Sequence, residues 1–337
     1  MLALKYDEII RNIDHKIFAP VYFLHGEEAW YIDQLTNLIE NNVLDEGLRD
    51  FNQKVAYGYD LSAREIVDIA RQFPMMGNFQ VVIIKEAQEL KSWDEIETYL
   101  DNPLKTTILV LAHKHKKIDK RKTFYKKINA SAHAVVFESE KIKEAKVPDF
   151  IRGLIKQKGY DVHTAAMQLL AEYLGNDLSK INNEIQKLII SIPPGSLITE
   201  DHIEQNIGIS KDFNIFELQK ALIQRDALKA QRIVNYFESN PKENPLQMLT
   251  VMLHNYFIKV FLYAQLHGQP QNAVAYELGI PPFAVSEYAN AARVFTPNKV
   301  KQILSSIRQL DLKSKGVDST DSSGYNDLRV LIYKIIN

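Results

Sequence analysis

Four short apolar runs constrain this chain most: VYFL at 21–24, QVVII at 80–84, TILVL at 107–111 and AVVF at 134–137. Each is too short for a core helix, and none alternates with polar residues. A strand of that kind is buried on both faces. Helical patterns separate the runs. From Trp30 onward, Ile32, Leu35, Ile39 and Val43 recur at helical spacing. Ser62 with Glu65 forms a capping-box pattern ahead of Ile66, Ile69, Ala70 and Phe73, and Pro74 follows. Short buried strands alternating with helices predict a parallel sheet with helices on both faces.

The pattern changes near residue 141. Strand signals stop, and helices are expected at 149–158, 164–174 and 199–206. Between them Leu178, Ile181, Ile185, Leu188 and Ile192 form a clean apolar stripe that Pro193 ends. Further helices are expected at 213–224, 227–238, 245–266, 281–292, 297–310 and 326–336, with a polar loop at 316–324. Thr296-Pro297 is a cap followed by proline at the first helical position. The expected organisation is an α/β domain at 1–140, a small helical domain at 141–209 and an all-α domain at 210–337.

Several function classes fall away. The chain has no cysteine among its 337 residues, which removes disulfides, thiol catalysis and cysteine zinc sites. Its net charge of −1 offers no global basic field for nucleic acid. No apolar stretch reaches the ~18 residues of a membrane span. MLALKYDEIIRN lacks the basic start and long apolar core of a secretory signal. A cytoplasmic location is expected, without membrane contact.

The first strand, turn and helix, VYFLHGEEAWYIDQL, has the frame of a phosphate-binding loop. Such a loop needs glycines so that backbone N–H groups can surround the phosphates. It also needs a lysine against their charge and a Ser/Thr for Mg²⁺. The turn His25-Gly26-Glu27-Glu28-Ala29-Trp30 has one glycine and neither of the others. Glu27 and Glu28 occupy the helix end that would attract an anion and would repel a triphosphate. After the second run, Lys85 stands where an ATPase places its first acidic residue, and Glu86 reads as a solvated loop carboxylate. Gly26, Glu27, Glu28, Lys85 and Glu86 therefore outline a degenerate nucleotide site, not expected to bind. No serine–histidine–acid signature or metal spacing is evident, and His113-Lys114-His115 reads as a solvated loop. Neither a catalytic residue, a metal nor a cofactor is expected.

Two surface features remain. Phe73-Pro74-Met75-Met76-Gly77-Asn78-Phe79 crowds large apolar residues into an irregular connection. Two accounts are open: these side chains cap the core, or they form an exposed, adaptable wedge. The second feature is the basic run from Lys114 to Lys127, including Lys116, Lys117, Lys120, Arg121 and Lys122. It fits either a solvated helix face or a track for a phosphate backbone. Phe124 and Tyr125 read as the buried side of that helix.

Taken together, VYFLHGEEAWYIDQL, FPMMGNFQVVIIKEAQEL, KKIDKRKTFYK, AEYLGNDLSKINNEIQKLI and FTPNKVKQILSSIRQLDLKSKG resemble the delta subunit of the bacterial DNA polymerase III clamp loader. The resemblance runs in order along essentially the whole chain. It implies an AAA+-like N-terminal domain, a small helical lid and a helical collar. It also implies DNA replication as the process, with no ATP bound by this subunit. The subunit would be non-catalytic in a complex that has DNA-directed DNA polymerase and clamp-loading ATPase activities. Its implied partners are the beta sliding clamp, the gamma/tau and delta-prime subunits through the collar, and primer-template DNA. The family's hydrophobic clamp-binding pair falls on Met75 and Met76, with Phe73 and Phe79 as neighbours. A delta-prime-type subunit and an ATPase with an atypical site are the alternatives. The former usually carries a Ser-Arg-Cys motif, and the absence of cysteine disfavours it.

Overall fold

Strand β1 (Val21–Gly26) runs through the interior of a five-stranded sheet, and all six of its residues are buried. The remaining strands are β2 (Gln53–Tyr57), β3 (Gln80–Lys85), β4 (Thr107–Lys114) and β5 (Ala134–Ser139). The sheet order is β2-β3-β4-β1-β5, and every pairing is parallel. The helices of this region are α1 (Tyr6–Asp14), α2 (Ala29–Asn42), α3 (Glu46–Asn52), α4 (Ala63–Ala70), α5 (Asp94–Tyr99) and α6 (Thr123–Ala130). This computed structural model describes residues 5–75, 77–207, 210, 212–266, 268–315 and 324–337.

The pleat explains the continuous apolar runs. Along β1, Tyr22 and Leu24 join one core with Ile32, Leu35 and Ile39 of α2, while Val21 and Phe23 join another with Ile66, Phe124 and Ile128. Successive side chains point to opposite faces, so both faces must be apolar when both are covered. Full burial of each such side chain stabilises the fold by roughly 1.5–3 kcal/mol. The expected capping box is present: the Glu65 N–H donates to Ser62 Oγ at 3.3 Å, and the Ser62 N–H donates to Glu65 Oε2 at 2.8 Å.

The structure corrects the sequence reading in several places. Strand β2 has no apolar run, and its only buried residue is Ala56. Helix α4 ends at Ala70, leaving Phe73 outside it. Strand β4 continues through His113 to Lys114, because its end is still flanked by β1. His113 is buried, so the expected solvated loop is not there. Helices α1, α3 and α5 had not been anticipated.

Contacts divide the chain into two compact units, up to residue 142 and from residue 143. The second unit is helical apart from a ribbon of two-residue strands, Asp161–Val162 and Leu197–Ile198, that the sequence does not announce. In Leu178–Ile190, residues Leu178, Ile181, Ile185 and Leu188 are buried, as the stripe predicts. The C-terminal bundle includes Ile215–Gln224, Ala227–Ser239, Leu246–Gln265, Pro297–Ser314 and Tyr325–Ile336, packed around one apolar core. Gln271–Leu278 is a further helix there, and the helix expected at 281–292 begins instead at Val285. Of the polar stretch expected as a loop at 316–324, all but Gly324 lies outside the described residues.

Candidate functional site

The turn after β1 is built around Ser139 of β5. Gly26 has φ +141°, and a Cβ there would lie 2.0 Å from the Ser139 carbonyl oxygen. Only glycine allows that approach. The Glu27 N–H donates to this oxygen at 2.9 Å and the Glu28 N–H reaches it at 3.4 Å. Ser139 Oγ donates back to the Glu28 carbonyl at 2.7 Å. Glu28 itself caps α2 by accepting from the Trp30 N–H at 3.3 Å. The amides that a phosphate would use are thus already engaged by protein.

The charges around this turn are also paired internally. Lys114 Nζ lies 3.0 Å from Asp33 and 2.8 Å from Glu86, with its side chain 13% exposed. Burial alone would raise the Glu86 carboxyl and lower the Lys114 ammonium. Their mutual hydrogen bond, with Gln88 on Glu86 and Asp33 on Lys114, reverses both shifts, so each is held in its charged form. Glu86 is therefore no solvated loop carboxylate. It stands at φ +53° in an ion pair at the end of β3. Lys85 pairs with Glu40 at 3.0 Å, and Glu27 with Lys117 at 3.0 Å. The expected repulsion of a triphosphate by bare glutamates is consequently too simple. Glu27 is partnered by Lys117 and Glu28 caps α2, so neither stands bare at the turn.

The same pairings account for most of the basic run. Lys116 meets Glu89 at 3.4 Å, Lys120 meets Glu138 at 2.7 Å and Arg121 meets Asp119 at 2.8 Å. Lys127 meets Asp101 at 2.7 Å. Lys122 is exposed at the start of α6, whose buried side carries Phe124. Local carboxylates thus offset much of the positive charge that a phosphate backbone would read.

The connection from α4 to β3 has a different character. Phe73 is 73% exposed and Met75 is 75% exposed. Met76 lies outside the described residues. Phe79 turns inward and packs edge-on against Phe18, with ring centroids 5.5 Å apart. Of the two accounts left open by the sequence, core capping fits Phe79, while exposure fits Phe73 and Met75. Leaving two such side chains in water forgoes the burial that large apolar groups normally obtain.

Helix α3 supports this turn, and sequence reasoning overlooked it. Asn52 is 2% exposed and its Oδ1 accepts from the Met75 N–H at 2.7 Å. Gly77 has φ +95°, and a Cβ there would meet Leu48 Cδ1 at 3.1 Å. A lone asparagine at a helix end, 23 residues before its partner, carries no sequence signal for such a role. Phe51 beside it is also exposed. Among the described residues, no group of three or more His, Cys, Asp or Glu side chains could hold a metal ion. None of the described helices is long and apolar enough to cross a membrane.

Comparison with known proteins gives a consistent result. Family models described as DNA polymerase III, delta subunit, and DNA polymerase III delta subunit, C-terminal domain, match residues 22–140 and 212–326. DNA polymerase III subunit delta of Bacillus subtilis is 27% identical over 307 residues, covering 88% of either chain. A probable DNA polymerase III subunit delta of Aquifex aeolicus is 21% identical over 309 residues, covering 88% of this chain and 86% of its own. The solved structure of a Bacillus subtilis DNA clamp loader delta protein superposes with a TM-score of 0.61. It is 23% identical, and the match covers 98% of this chain and 99% of that one.

Proposed function

The chain belongs to the DNA polymerase III delta-subunit family, clamp-loader components of DNA replication, and from that premise we propose that it binds the beta sliding clamp through the turn carrying Phe73, Met75 and Met76. The observation that carries this reading is the exposure of Phe73 and Met75 on a turn whose backbone is anchored. A flexible thioether beside an aromatic ring suits an apolar pocket on a partner. Ring opening requires only that the subunit bind the opened clamp interface better than the closed one.

The subunit takes part without nucleotide chemistry of its own. Gly26, Glu27, Glu28, Lys85 and Glu86 hold the first unit together, and ATP is left to neighbouring subunits. Residues 141–209 serve as the lid and 210–337 as the collar that meets the gamma/tau and delta-prime subunits. The assembled complex surrounds primer-template DNA in the cytoplasm. The polymerase and ATPase activities belong to that complex.

The test is capture of the full chain by the beta sliding clamp. Met75→Ser with Met76→Ser should abolish capture while the thermal transition stays in place. Undiminished capture by the double variant would refute the reading.

A further inference from the structure

We infer that Asn52 is a positioning residue for clamp binding: its side-chain amide presets the 73–75 turn in the shape that meets the partner. The inference rests on the clamp-binding reading above. Nine residues, 71–79, separate the end of α4 at Ala70 from the first residue of β3, Gln80. A connection of that length with Phe73 and Met75 turned to solvent gains little from its own side chains. Its far end is fixed, because the Gln80 N–H donates to the Thr106 carbonyl at 2.8 Å and Phe79 packs on Phe18. Its middle is tied at Met75 by the backbone N–H. That bond goes to an oxygen on a side chain 2% exposed, held at the C-terminus of α3.

This geometry separates holding from touching. Asn52 takes the backbone of Met75 and leaves the Met75 side chain outward, so it can set the turn without meeting the clamp. Leu48, one turn earlier on α3, stands beneath Gly77, where only a residue tolerant of φ +95° fits. Helix α3 thus provides a platform at two points of the turn. Losing the Asn52 oxygen would strand the Met75 N–H and release the turn into other conformers. The apparent affinity then falls by the fraction still competent to bind.

Kinetics distinguish a lost preset shape from a lost contact. A smaller competent fraction slows association, whereas a missing apolar contact mainly speeds dissociation. The experiment follows binding of the full chain to immobilised beta clamp by surface plasmon resonance, with circular dichroism melts as the fold control. Asn52→Ala should associate about tenfold more slowly, with dissociation nearly unchanged. Asn52→Asp keeps an acceptor oxygen, though it buries a carboxylate, and should associate faster than Asn52→Ala. Met75→Ser should instead dissociate faster. If Asn52→Ala associates like wild type while Met75→Ser is impaired, the inference fails and the clamp reading stands. If Met75→Ser with Met76→Ser also binds like wild type, the clamp reading fails and takes the inference with it. Should Asn52→Ala not fold, amide exchange of wild-type Met75 decides: protection supports the inference, and exchange at the unprotected rate overturns it.

Discussion

Acid should weaken the first unit through one buried side chain, His25. It is 1% exposed near the end of β1, stacked on Phe23 with ring centroids 4.8 Å apart, and among the described residues neither ring nitrogen has a hydrogen-bond partner. Burial pushes its pKa down from 6.5 to about 4; Glu138 opposes this, and His113 and Lys120 add to it. Because the folded value is the lower one, the unfolded chain takes up the proton first, and stability falls as pH drops below 6.5. Above that value the ring is neutral in both states and contributes nothing. With folded and unfolded values of about 4 and 6.5, the loss amounts to about 2 kcal/mol at pH 5. It reaches about 3 kcal/mol once both states are protonated, below pH 4. His25→Leu should remove this component and leave the other titrations in place. The chain's two tryptophans, Trp30 and Trp93, both lie in the first unit, so their fluorescence in urea titrations reports that unit alone. Between pH 7.5 and 5 the wild type should lose about 2 kcal/mol more than His25→Leu. Equal losses in the two proteins would refute the reasoning.

Other consequences are more local. Lys114→Met leaves Glu86 and Asp33 without their ammonium and should cost about 1–3 kcal/mol, read by the same urea titration. The variant should still fail to bind a fluorescent ATP analogue, because the turn amides remain on Ser139. Titratable micromolar binding would contradict that account. In the last helix, Val330 and Tyr333 are exposed at a spacing that puts them on one face. On the proposed collar role, Val330→Ser with Tyr333→Ser should leave the melting temperature nearly unchanged yet reduce co-elution with the other clamp-loader subunits. Normal co-elution would exclude this face from that role.

The legibility of this molecule follows its burial. Strands β1, β3, β4 and β5 could be read because residues covered on both faces must be apolar throughout. Strand β2 escaped because most of its side chains are left uncovered: Lys54, Val55 and Tyr57 are exposed. The capping box at Ser62 and the stripe from Leu178 to Leu188 were equally visible, being local in sequence. His113 was misread because three basic residues in a row look solvated. Its burial depends on strands that come from elsewhere in the chain.

The candidate site divides along the same line. Sequence alone determined that the turn at Gly26 holds neither lysine nor Ser/Thr, because these are matters of residue identity. It also marked the turn at 73–79 as unusually apolar. Only the tertiary structure decided that Ser139 occupies the amides after Gly26 and that Lys114 sits between Asp33 and Glu86. It likewise sent Phe79 inward, left Phe73 and Met75 outside, and brought Asn52 to the Met75 backbone. These are contacts between residues 23 to 112 positions apart. Local periodicity does not encode them, because they form only when strand order brings the segments together.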